Sequence, residues 1–487
     1  MKITLISLSP STGKMIGYGV RLLSACLKKE GHDVLILFLP IENYESVEEK
    51  ILENIVQTAK DSNLIGISLM TDNFKHAVQL NAHLKNKIDV PIIWGGIHPT
   101  IEPQECLNYT EMVCIGEGEK SIVELAERIE NNKAYHNIPG IWINKHKKII
   151  KNALPPLSNN LDKIPFQDID HENHYILLNG SISKVNKEVL EKSLQFFVTF
   201  ASRGCPFSCT YCWNNTIKKI YPNKNIVRQR STDNVIKELI LIKRKLPYIK
   251  VIHIDDDSFF NRSEKEIYDF AQKYKENIDL PLWITGAHPT TLTREKLSAL
   301  TKAKIRSLTV KMGIQTGSKR IKKLYRRNYS NDLVHKAVGL LNEFNGQIKT
   351  PQYDFILDNP WETERDIIET LRMIAKFPTP FTLPLFPLTF YPGTDLYEKA
   401  KKEGLIHNQK NTENIVRSHK PQNTFLNNLF YLMNDYASKN MKISSFIIFM
   451  LTNPLFRSIK VSQFIYNFLN NKIQLIKNSE PVYWPKG

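Results

Sequence analysis

The sequence predicts an α/β protein: a doubly wound, Rossmann-like parallel sheet, then a partial (β/α)6 barrel, then a C-terminal helical segment. Three observations predict this fold class. Short apolar strands alternate with amphipathic helices over residues 1 to about 130. A second strand–helix series begins near Phe196, directly before a loop with three cysteines. The alternation ends near residue 405, and apolar helical patterns follow.

The chain length agrees with this division. At roughly 100–200 residues per domain, 487 residues predict two to four domains. We place the first domain at 1–140, a linker at 141–194, the barrel at 195–404 and the helical segment at 405–487. Apolar residues make up 42% and charged residues 24% of the chain, which excludes global disorder.

Charge and cysteine usage narrow the function classes. The net charge is +17, but lysines are spread evenly, which favours a solvated surface over a nucleic-acid partner. Six cysteines are too few for a disulfide scaffold, and three fall within eight positions. The first residues lack the length and cleavage site of a signal peptide, and no apolar stretch reaches about 18 residues. These features predict a cytoplasmic protein.

The first domain alternates regularly. Strands are predicted at 3–8, 34–38, 64–70, 91–94 and 112–115, and helices at 20–30, 47–60, 74–87 and 121–129. The loops 9–19, 68–73, 95–100 and 116–119 then lie at the carboxyl edge of the sheet, where ligands bind. Gly95 and Gly96 permit close approach of backbone to a ligand, although they could equally serve only to turn the chain. The dinucleotide pattern GxGxxG is absent after the first strand.

The cysteine loop carries the strongest chemical signal. Cys205, Cys209 and Cys212 follow the spacing Cys-x3-Cys-x2-Cys on a loop with Gly204 and Pro206. Three thiolates can hold three irons of a [4Fe–4S] cluster and leave the fourth iron open to a substrate or cofactor. Structural zinc would need a fourth ligand, and the next histidine is His253. We therefore predict an iron–sulfur cluster.

The second series predicts six barrel strands. They are placed at 196–201, 250–254, 282–285, 308–314, 352–357 and 383–390, with helices at 263–274, 294–301, 332–342 and 364–376 among them. Polar segments at the strand ends, 255–257, 288–289, 313–318 and 358–363, are candidates for the active site. Asp255–Asp257 and Gly317–Ser318 could instead cap helices. The segment 391–394 is predicted to be a structural turn.

With Tyr211 before the third cysteine, the loop resembles that of radical S-adenosylmethionine (SAM) enzymes. The resemblance implies that the open iron chelates SAM and that the reduced cluster cleaves it to a 5′-deoxyadenosyl radical. It implies that Cys205, Cys209 and Cys212 hold the cluster. Four further residues would help to hold SAM: Tyr211, Asp256, Gln315 and Ser318.

The first domain is similar to the cobalamin-binding domain that precedes the barrel in one subclass of this family. The similarity rests on segments 66–71, 94–100 and 116–119, with support from 161–166 and 355–364. It implies a cobalamin site lined by Ser68, Thr71, Gly95, Gly96 and Glu117. Loop 9–17 lacks the histidine that many such domains use as a cobalt ligand, which fits either a base-off cofactor or a domain that has lost cobalamin. His98 is predicted to lie near the cofactor without binding cobalt.

The C-terminal segment predicts helices at 425–436, 443–455 and 461–473 that cap the barrel. A second interpretation is peripheral membrane contact, because five basic residues flank the apolar faces: Lys442, Arg457, Lys460, Lys472 and Lys477. A lipid-like substrate would suit that interpretation.

Together these features predict cobalamin-dependent methylation of an unactivated carbon in a small-molecule or lipid-like substrate, with an external one-electron donor. The alternatives are a radical oxidoreductase or cyclase on the same scaffold, a non-catalytic cobalamin-binding sensor, and nucleic-acid modification, which only the net charge favours.

Overall fold

The structure, a computed structural model, describes residues 1–9, 17–41, 46–222, 225–406 and 421–453. Most of the predicted loop 9–19, the predicted helix 461–473 and four of the flanking basic residues (Arg457, Lys460, Lys472 and Lys477) lie outside the described residues. Within them the chain builds two parallel sheets and a helical C-terminal part, so the predicted fold class is confirmed.

Nine strands form the first sheet. They are β1 (Lys2–Ser9), β2 (Asp33–Pro40), β3 (Leu64–Ser68), β4 (Ile92–Gly95), β5 (Met112–Cys114), β6 (Ile141–Lys145), β7 (Lys148–Ile150), β8 (His174–Leu178) and β9 (Ser181–Lys184). Their order in the sheet is β7-β6-β5-β4-β3-β1-β2-β8-β9. The six strands from β5 to β8 in that order are parallel, and β6, β7 and β9 pair antiparallel at the two edges.

Helices cover both faces of this sheet. They are α1 (Tyr18–Lys29), α2 (Glu49–Ala59), α3 (Phe74–Lys87), α4 (Ile97–Ile101), α5 (Pro103–Cys106), α6 (Glu119–Glu130) and α7 (Lys187–Ser193). Along β1, Ile3 and Leu5 pack into the core that contains α1 and α6, whereas Ile6 and Leu8 pack into the core that contains α2 and α3. This double burial explains why the parallel strands read as continuous apolar runs.

The segment 141–194, predicted as a linker, contributes secondary structure to the first sheet. Strands β6 to β9 all lie in it, and β8 pairs with β2 through Ile36, Leu37 and Phe38. The sequence pattern did not predict these strands, because they are short and only half-buried, so they lack a long apolar run.

The second sheet has six parallel strands in the order β10-β13-β14-β15-β16-β17. A short antiparallel pair, β11 and β12, lies beside it. The ranges are β10 (Phe196–Thr199), β11 (Ser202–Arg203), β12 (Arg228–Gln229), β13 (Val251–Ile254), β14 (Leu282–Ala287), β15 (Leu308–Gln315), β16 (Gln352–Leu357) and β17 (Leu385–Pro387). Because β10 and β17 do not pair, the sheet forms an open, partial barrel.

Eight helices belong to the barrel: α8 (Trp213–Ile220), α9 (Thr232–Lys245), α10 (Glu264–Asn277), α11 (Arg294–Lys302), α12 (Lys319–Leu324), α13 (Asn331–Glu343), α14 (Glu364–Ile374) and α15 (Asp395–Lys402). Most begin at a serine or threonine whose hydroxyl accepts a backbone N–H of the first turn, as at Ser231, Ser263 and Ser330. These caps explain why the helix starts were readable from the sequence.

Two C-terminal helices, α16 (Phe425–Ser438) and α17 (Ser445–Leu451), pack beside α14. The Asn434 side chain accepts a hydrogen bond from the backbone N–H of Leu383, and Asn427 donates to Asp358. These bonds attach α16 to the edge of the barrel. Among the described residues, every helix is too short or too polar to cross a lipid bilayer.

A buried polar network ties α1 to the start of β8. The carboxylate of Asp168 accepts a hydrogen bond from Ser24 at 2.6 Å and pairs with Lys28 at 2.8 Å and His174 at 3.2 Å. Its backbone also bonds to Arg21. The hydrogen bonds and positive charges that surround Asp168 lower its pKa despite the cost of burial.

We expect Asp168→Ala to lower the free energy of unfolding by about 3 kcal/mol, because it leaves buried donors and a cation without their acceptor. Asp61→Ala, which removes a mostly exposed partner of Lys2, should cost less than about 1 kcal/mol. Urea unfolding measures both. Because folding lowers the Asp168 pKa, its stabilisation is present above about pH 4 and is lost as the pH falls through the folded-state pKa. Equal losses in the two variants would contradict this role.

Candidate functional site

The cysteine loop directly follows β11, which pairs antiparallel with β12, a strand that comes after α8 in the chain. Gly204 has a φ of +83°, and a Cβ on it would lie 2.1 Å from the carbonyl oxygen of Ile226. Only glycine tolerates both the left-handed backbone and this close approach. The backbone therefore leaves β11 in one defined conformation, and Cys205 follows as the first ligand candidate.

Two side chains hold the loop from behind. Lys218 of α8 donates to the carbonyls of Pro206 and Phe207 at 2.6 and 2.7 Å. The Thr210 hydroxyl donates to the carbonyl of Leu324 at 2.8 Å. The sequence did not predict this role of Lys218, because a lysine on an amphipathic helix normally indicates a solvated face.

The three thiols lie close enough to influence one another. Cys209 is buried, and Cys205 and Cys212 are half-buried. Burial raises the pKa of the Cys205 thiol to about 11 and that of Cys212 to about 12, and the nearby Asp257 carboxylate adds to both shifts. A positive metal centre would reverse this effect, so cluster binding would release protons.

The sulfur atoms are not arranged for a single metal ion. Among the described residues, the group of histidine, cysteine or acidic side chains whose ligand atoms all lie within 4.8 Å of one another is Glu49, Glu53 and His83 on α2 and α3. The three cysteines are spread more widely. Ligands of one zinc ion lie closer together than this, so the arrangement argues against a mononuclear zinc site.

Arg327 is a buried contact of the loop that was not among the predicted site residues. Its Nη1 lies 3.5 Å from the Sγ of Cys209 and 3.3 Å from the hydroxyl of Tyr211. Its Nη2 donates to the carbonyl of Gly313 on β15. One guanidinium thus joins the cysteine loop to the barrel strand that carries Gln315. No sequence pattern marks it, since it follows α12 as one of two adjacent arginines.

Asp256, predicted to hold SAM, bonds to the backbone that precedes the cysteine loop. Its carboxylate is buried and accepts hydrogen bonds from the backbone N–H groups of Ala201 and Ser202 and from the Ser202 hydroxyl, at 2.6 to 3.0 Å. Both oxygens of the Asp256 carboxylate therefore already accept hydrogen bonds. Asp256 thereby fixes the backbone between β10 and Gly204.

The other predicted SAM residues lie near the same strand edge. Gln315 ends β15 with a φ of +74°, and its side chain folds back over Gly313. Such strain is typical of functional positions. The Ser318 hydroxyl caps α12 and donates to Asp366, so its side chain is already used. Tyr211 is half-buried and packs edge-on against Tyr325.

The predicted cobalamin residues lie at the carboxyl edge of the first sheet. Ser68 ends β3 opposite Gly95 of β4, and Thr71 lies 3.3 Å from the Nδ1 of His98. Gly96 has a φ of +102°, and a Cβ there would lie 2.6 Å from the carbonyl oxygen of Leu69. Four of the five residues are therefore brought together by adjacent strands.

Unused polar atoms mark this edge as suited to a ligand. Asp72 Oδ1, Asn73 Oδ1 and His98 Nε2 are buried and have no hydrogen-bond partner. Burial raises the Asp72 pKa to about 6 and lowers that of His98 to about 4, so His98 is neutral. Buried polar atoms normally find partners, so these atoms fit the amide-rich periphery or nucleotide tail of cobalamin.

Glu117, the fifth predicted cobalamin residue, bonds to the barrel. Its carboxylate pairs with Arg228 at 2.6 Å and with Arg203 at 3.0 Å. These ion pairs lower its pKa against the effect of burial. Arg203 also pairs with Glu119, so one ion cluster connects the segment after β5 to the antiparallel pair β11 and β12, which flanks the cysteine loop and α8.

Two family models match the chain. The B12 binding domain matches residues 6–126, and the radical SAM superfamily matches residues 200–374. These ranges are the sheet with the unused polar atoms and the barrel with the cysteine loop, so fold and site define a radical SAM enzyme with an N-terminal B12-binding domain. The chain thus contains a radical SAM domain and a B12-binding domain. These domains imply a [4Fe–4S] cluster, SAM and cobalamin, as predicted.

Two relatives align with most of the chain. An uncharacterised methyltransferase of Pyrococcus horikoshii is 26% identical over 394 residues, which cover 78% of each chain. Bacteriochlorophyllide d C-8(2)-methyltransferase of Chlorobaculum tepidum is 18% identical over 378 residues, 77% of this chain and 76% of that protein.

A solved structure shares the fold. It is the radical SAM methyltransferase TsrM of Kitasatospora setae with tryptophan substrate and a SAM analogue bound, and it superimposes with a TM-score of 0.64 at 17% identity, over 83% of this chain and 77% of that one. A second structure of TsrM contains cobalamin and a [4Fe–4S] cluster.

The geometry of Gly204 generates a test of the loop. We expect Gly204→Ala to destabilise the pairing of β11 with β12 by about 2 kcal/mol or more, because Gly204 has a positive φ and a Cβ there would clash with Ile226. The iron and acid-labile sulfide bound per protein should fall with it. Gly19→Ala on α1, where a Cβ meets nothing within 4 Å, is the matched control and should keep its iron. Full iron content in Gly204→Ala would contradict the role of this glycine in placing the cysteine loop.

Proposed function

We propose that the protein transfers a methyl group to an unactivated carbon of a small-molecule substrate. The observation that carries the proposal is the placement of the two cofactor edges. The carboxyl edge of the first sheet, with its unused polar atoms, is joined to the cysteine loop by the Glu117–Arg228 and Arg203–Glu119 ion pairs. A methyl carrier and a radical source must both reach one substrate atom, and this placement supports such a reaction.

Contacts elsewhere along the boundary support the same arrangement. A Cβ on Gly116, after β5, would lie 2.2 Å from the hydroxyl of Tyr221, after α8. Asp72, after β3, contributes to the raised pKa of Tyr391, after β17, although burial is the larger cause. The loops of both sheets therefore face one another.

When bound, the reduced cluster supplies the electron that cleaves SAM, and cobalamin carries the methyl group. In this proposal Cys205, Cys209 and Cys212 hold the cluster, while Lys218 and Arg327 keep their loop in place. Gln315 contacts SAM at the end of β15. Cobalamin is held at the strand ends by four residues: Ser68, Thr71, Gly95 and Gly96.

The remaining parts of the proposal concern partners and location. Each cleavage of SAM consumes one electron, so an external one-electron donor is required. The relatives named above act on small molecules by their names, which supports a substrate of that class. A cytoplasmic location rests on the cysteine usage and the predicted oxygen-sensitive cluster.

Product analysis separates methylation from its alternatives. With cobalamin and a one-electron reductant, anaerobically reconstituted protein should convert SAM to S-adenosylhomocysteine, as the methyl group passes to cobalamin, and to 5′-deoxyadenosine. Formation of 5′-deoxyadenosine alone would indicate the oxidoreductase or cyclase instead. Cobalamin binding without any cleavage of SAM under reduction would indicate a sensor.

Replacement of one cluster ligand gives a sharper test. Cys209→Ala should abolish 5′-deoxyadenosine formation and lower bound iron, since two thiolates remain for three irons. It should still bind cobalamin, because that site lies on the first sheet. Cys26→Ala removes a buried thiol on α1 and should retain iron and cleavage. If Cys209→Ala cleaves SAM as the unaltered protein does, the assignment of the cluster is wrong.

We also infer peripheral contact of the C-terminal helices with a membrane surface. Four apolar residues there are unusually exposed, of which Phe446 is 67% exposed; the others are Met441, Ile447 and Phe449. Lys439 and Lys442 lie beside them. Apolar side chains flanked by lysines suit the boundary between lipid headgroups and acyl chains.

For this contact we expect Phe446→Asp to weaken sedimentation with anionic phosphatidylserine vesicles several-fold. Tyr268→Asp, which changes an exposed aromatic residue on α10, should leave it unaltered. Equal vesicle binding by all three proteins would rule out the contact.

A further inference from the structure

The inner face of the partial barrel carries polar residues that the proposed cofactor sites do not use. On β15, Leu308, Val310, Met312 and Ile314 are buried against the helices, and the alternate residues face the interior. The same alternation applies to the neighbouring strands. It brings one layer of side chains together: His253 of β13, Trp283 of β14, Lys311 of β15, Asp354 of β16 and Phe386 of β17.

An ion pair occupies the middle of this layer. The Nζ of Lys311 lies 3.3 Å from the Oδ1 of Asp354 and 5.4 Å from the centre of the Phe386 ring. The Asp354 oxygen nevertheless lacks a hydrogen bond of good geometry. Lysine and aspartate are rare inside a barrel because desolvation opposes them. Their side chains keep 21% and 17% exposure, although the Oδ1 of Asp354 itself is buried.

A flat wall lies next to the ion pair. The His253 imidazole stacks on the Trp283 indole at 4.0 Å and 11°. His253 is 5% exposed, yet neither ring nitrogen has a hydrogen bond. Burial lowers its pKa to about 4, so the ring is neutral and offers one donor and one acceptor. The Nε2 lies 3.5 Å from Asp255 without a hydrogen bond of good geometry, and the Nδ1 has no hydrogen bond, which points to a missing polar partner.

Asp255 completes the polar set at the mouth of the interior. It accepts a hydrogen bond from the Thr285 hydroxyl at 2.8 Å and lies 3.5 Å from the Nε2 of His253. The layer thus offers one cation, two carboxylates and a neutral imidazole beside flat aromatic surfaces.

The layer lies deeper than the edge where SAM would bind. Lys311 precedes Gln315 by four residues, about 13 Å along the strand. SAM attached to the cluster would approach Gln315 from the cysteine loop. The Lys311–Asp354 pair is therefore placed to contact the substrate rather than SAM.

We propose that Lys311, Asp354 and His253 bind the head group of a substrate that carries an α-amino-acid pair of ammonium and carboxylate. This rests on the proposed function only in that it names the substrate class of the same barrel. A substrate carboxylate that bonds to Lys311 would draw it from Asp354 and leave that charge unpaired, and an amine that bonds to Asp354 would do the same to Lys311. An amino acid satisfies both charges, and the His253–Trp283 wall accepts a planar side chain.

Three matched probes test this class. Holoprotein with bound SAM is equilibrated by dialysis against L-phenylalanine, 3-phenylpropionate and 2-phenylethylamine, which share a ring and differ in head-group charge. We expect L-phenylalanine to bind about ten-fold more tightly than either single-charge probe. Dissociation constants weaker than about 10 mM for L-phenylalanine, or equal binding of all three probes, would overturn the proposal.

Variants assign the preference to the pair. Lys311→Met should remove the advantage of L-phenylalanine over 2-phenylethylamine, and Asp354→Asn should remove its advantage over 3-phenylpropionate. Lys319→Met, an exposed lysine on α12, should preserve both. Iron content and unfolding temperature confirm that each variant is folded. Unchanged selectivity in both pair variants would also overturn the proposal. Because dialysis measures binding alone, it is independent of whether SAM is cleaved.

Discussion

The ion cluster of Glu117, Glu119, Arg203 and Arg228 is the contact on which the relation between the two sheets depends. Its carboxylates follow β5 at the edge of the first sheet, and its guanidinium groups lie on β11 and β12, one before the cysteine loop and one after α8. Enclosed charges lose hydration, so such a cluster is stable only when its partners are all in place. Two negative and two positive charges balance here. A shift of either sheet edge would therefore unpair a charge, and this couples the position of the cysteine loop to that of the cobalamin-domain edge.

The sequence predicted the elements whose pattern is local. Strands buried on both faces and helices with hydroxyl caps appear near their predicted ranges, and the cysteine spacing needs only one loop to be recognised. What could not be predicted are contacts between distant segments. Lys218 and Arg327 act on the cysteine loop through backbone carbonyls and a thiol, and their neighbours in sequence carry no trace of that. Strands β6 to β9 were missed because they are short and only half-buried, so they lack a long apolar run.

The run Asp255–Asp257 shows why a motif can be located before its roles are known. Alternation along the chain sends successive carboxylates in different directions. Asp255 faces the barrel interior beside His253, and Asp256 accepts backbone N–H groups between β10 and the cysteine loop. Asp257 lies near Cys205 and Cys212, where burial raises its pKa to about 6. Of the three, only Asp256 is fully buried. The sequence therefore locates the three aspartates at a strand end, but the different contacts that they make depend on the packing of distant segments.

The same reasoning applies to charges that a pattern treats as surface. Lys311 lies on β15, where apolar residues alternate with polar residues or glycine. Such an alternation normally indicates that the second set faces solvent. In an open barrel the face opposite the helices is an interior, so its polar residues are enclosed by neighbouring strands rather than by bulk water. Enclosed charges are costly unless they are paired or meet a ligand. An open barrel can therefore keep a lysine–aspartate pair and an unbonded histidine in its interior where a polar substrate replaces the water that they lack.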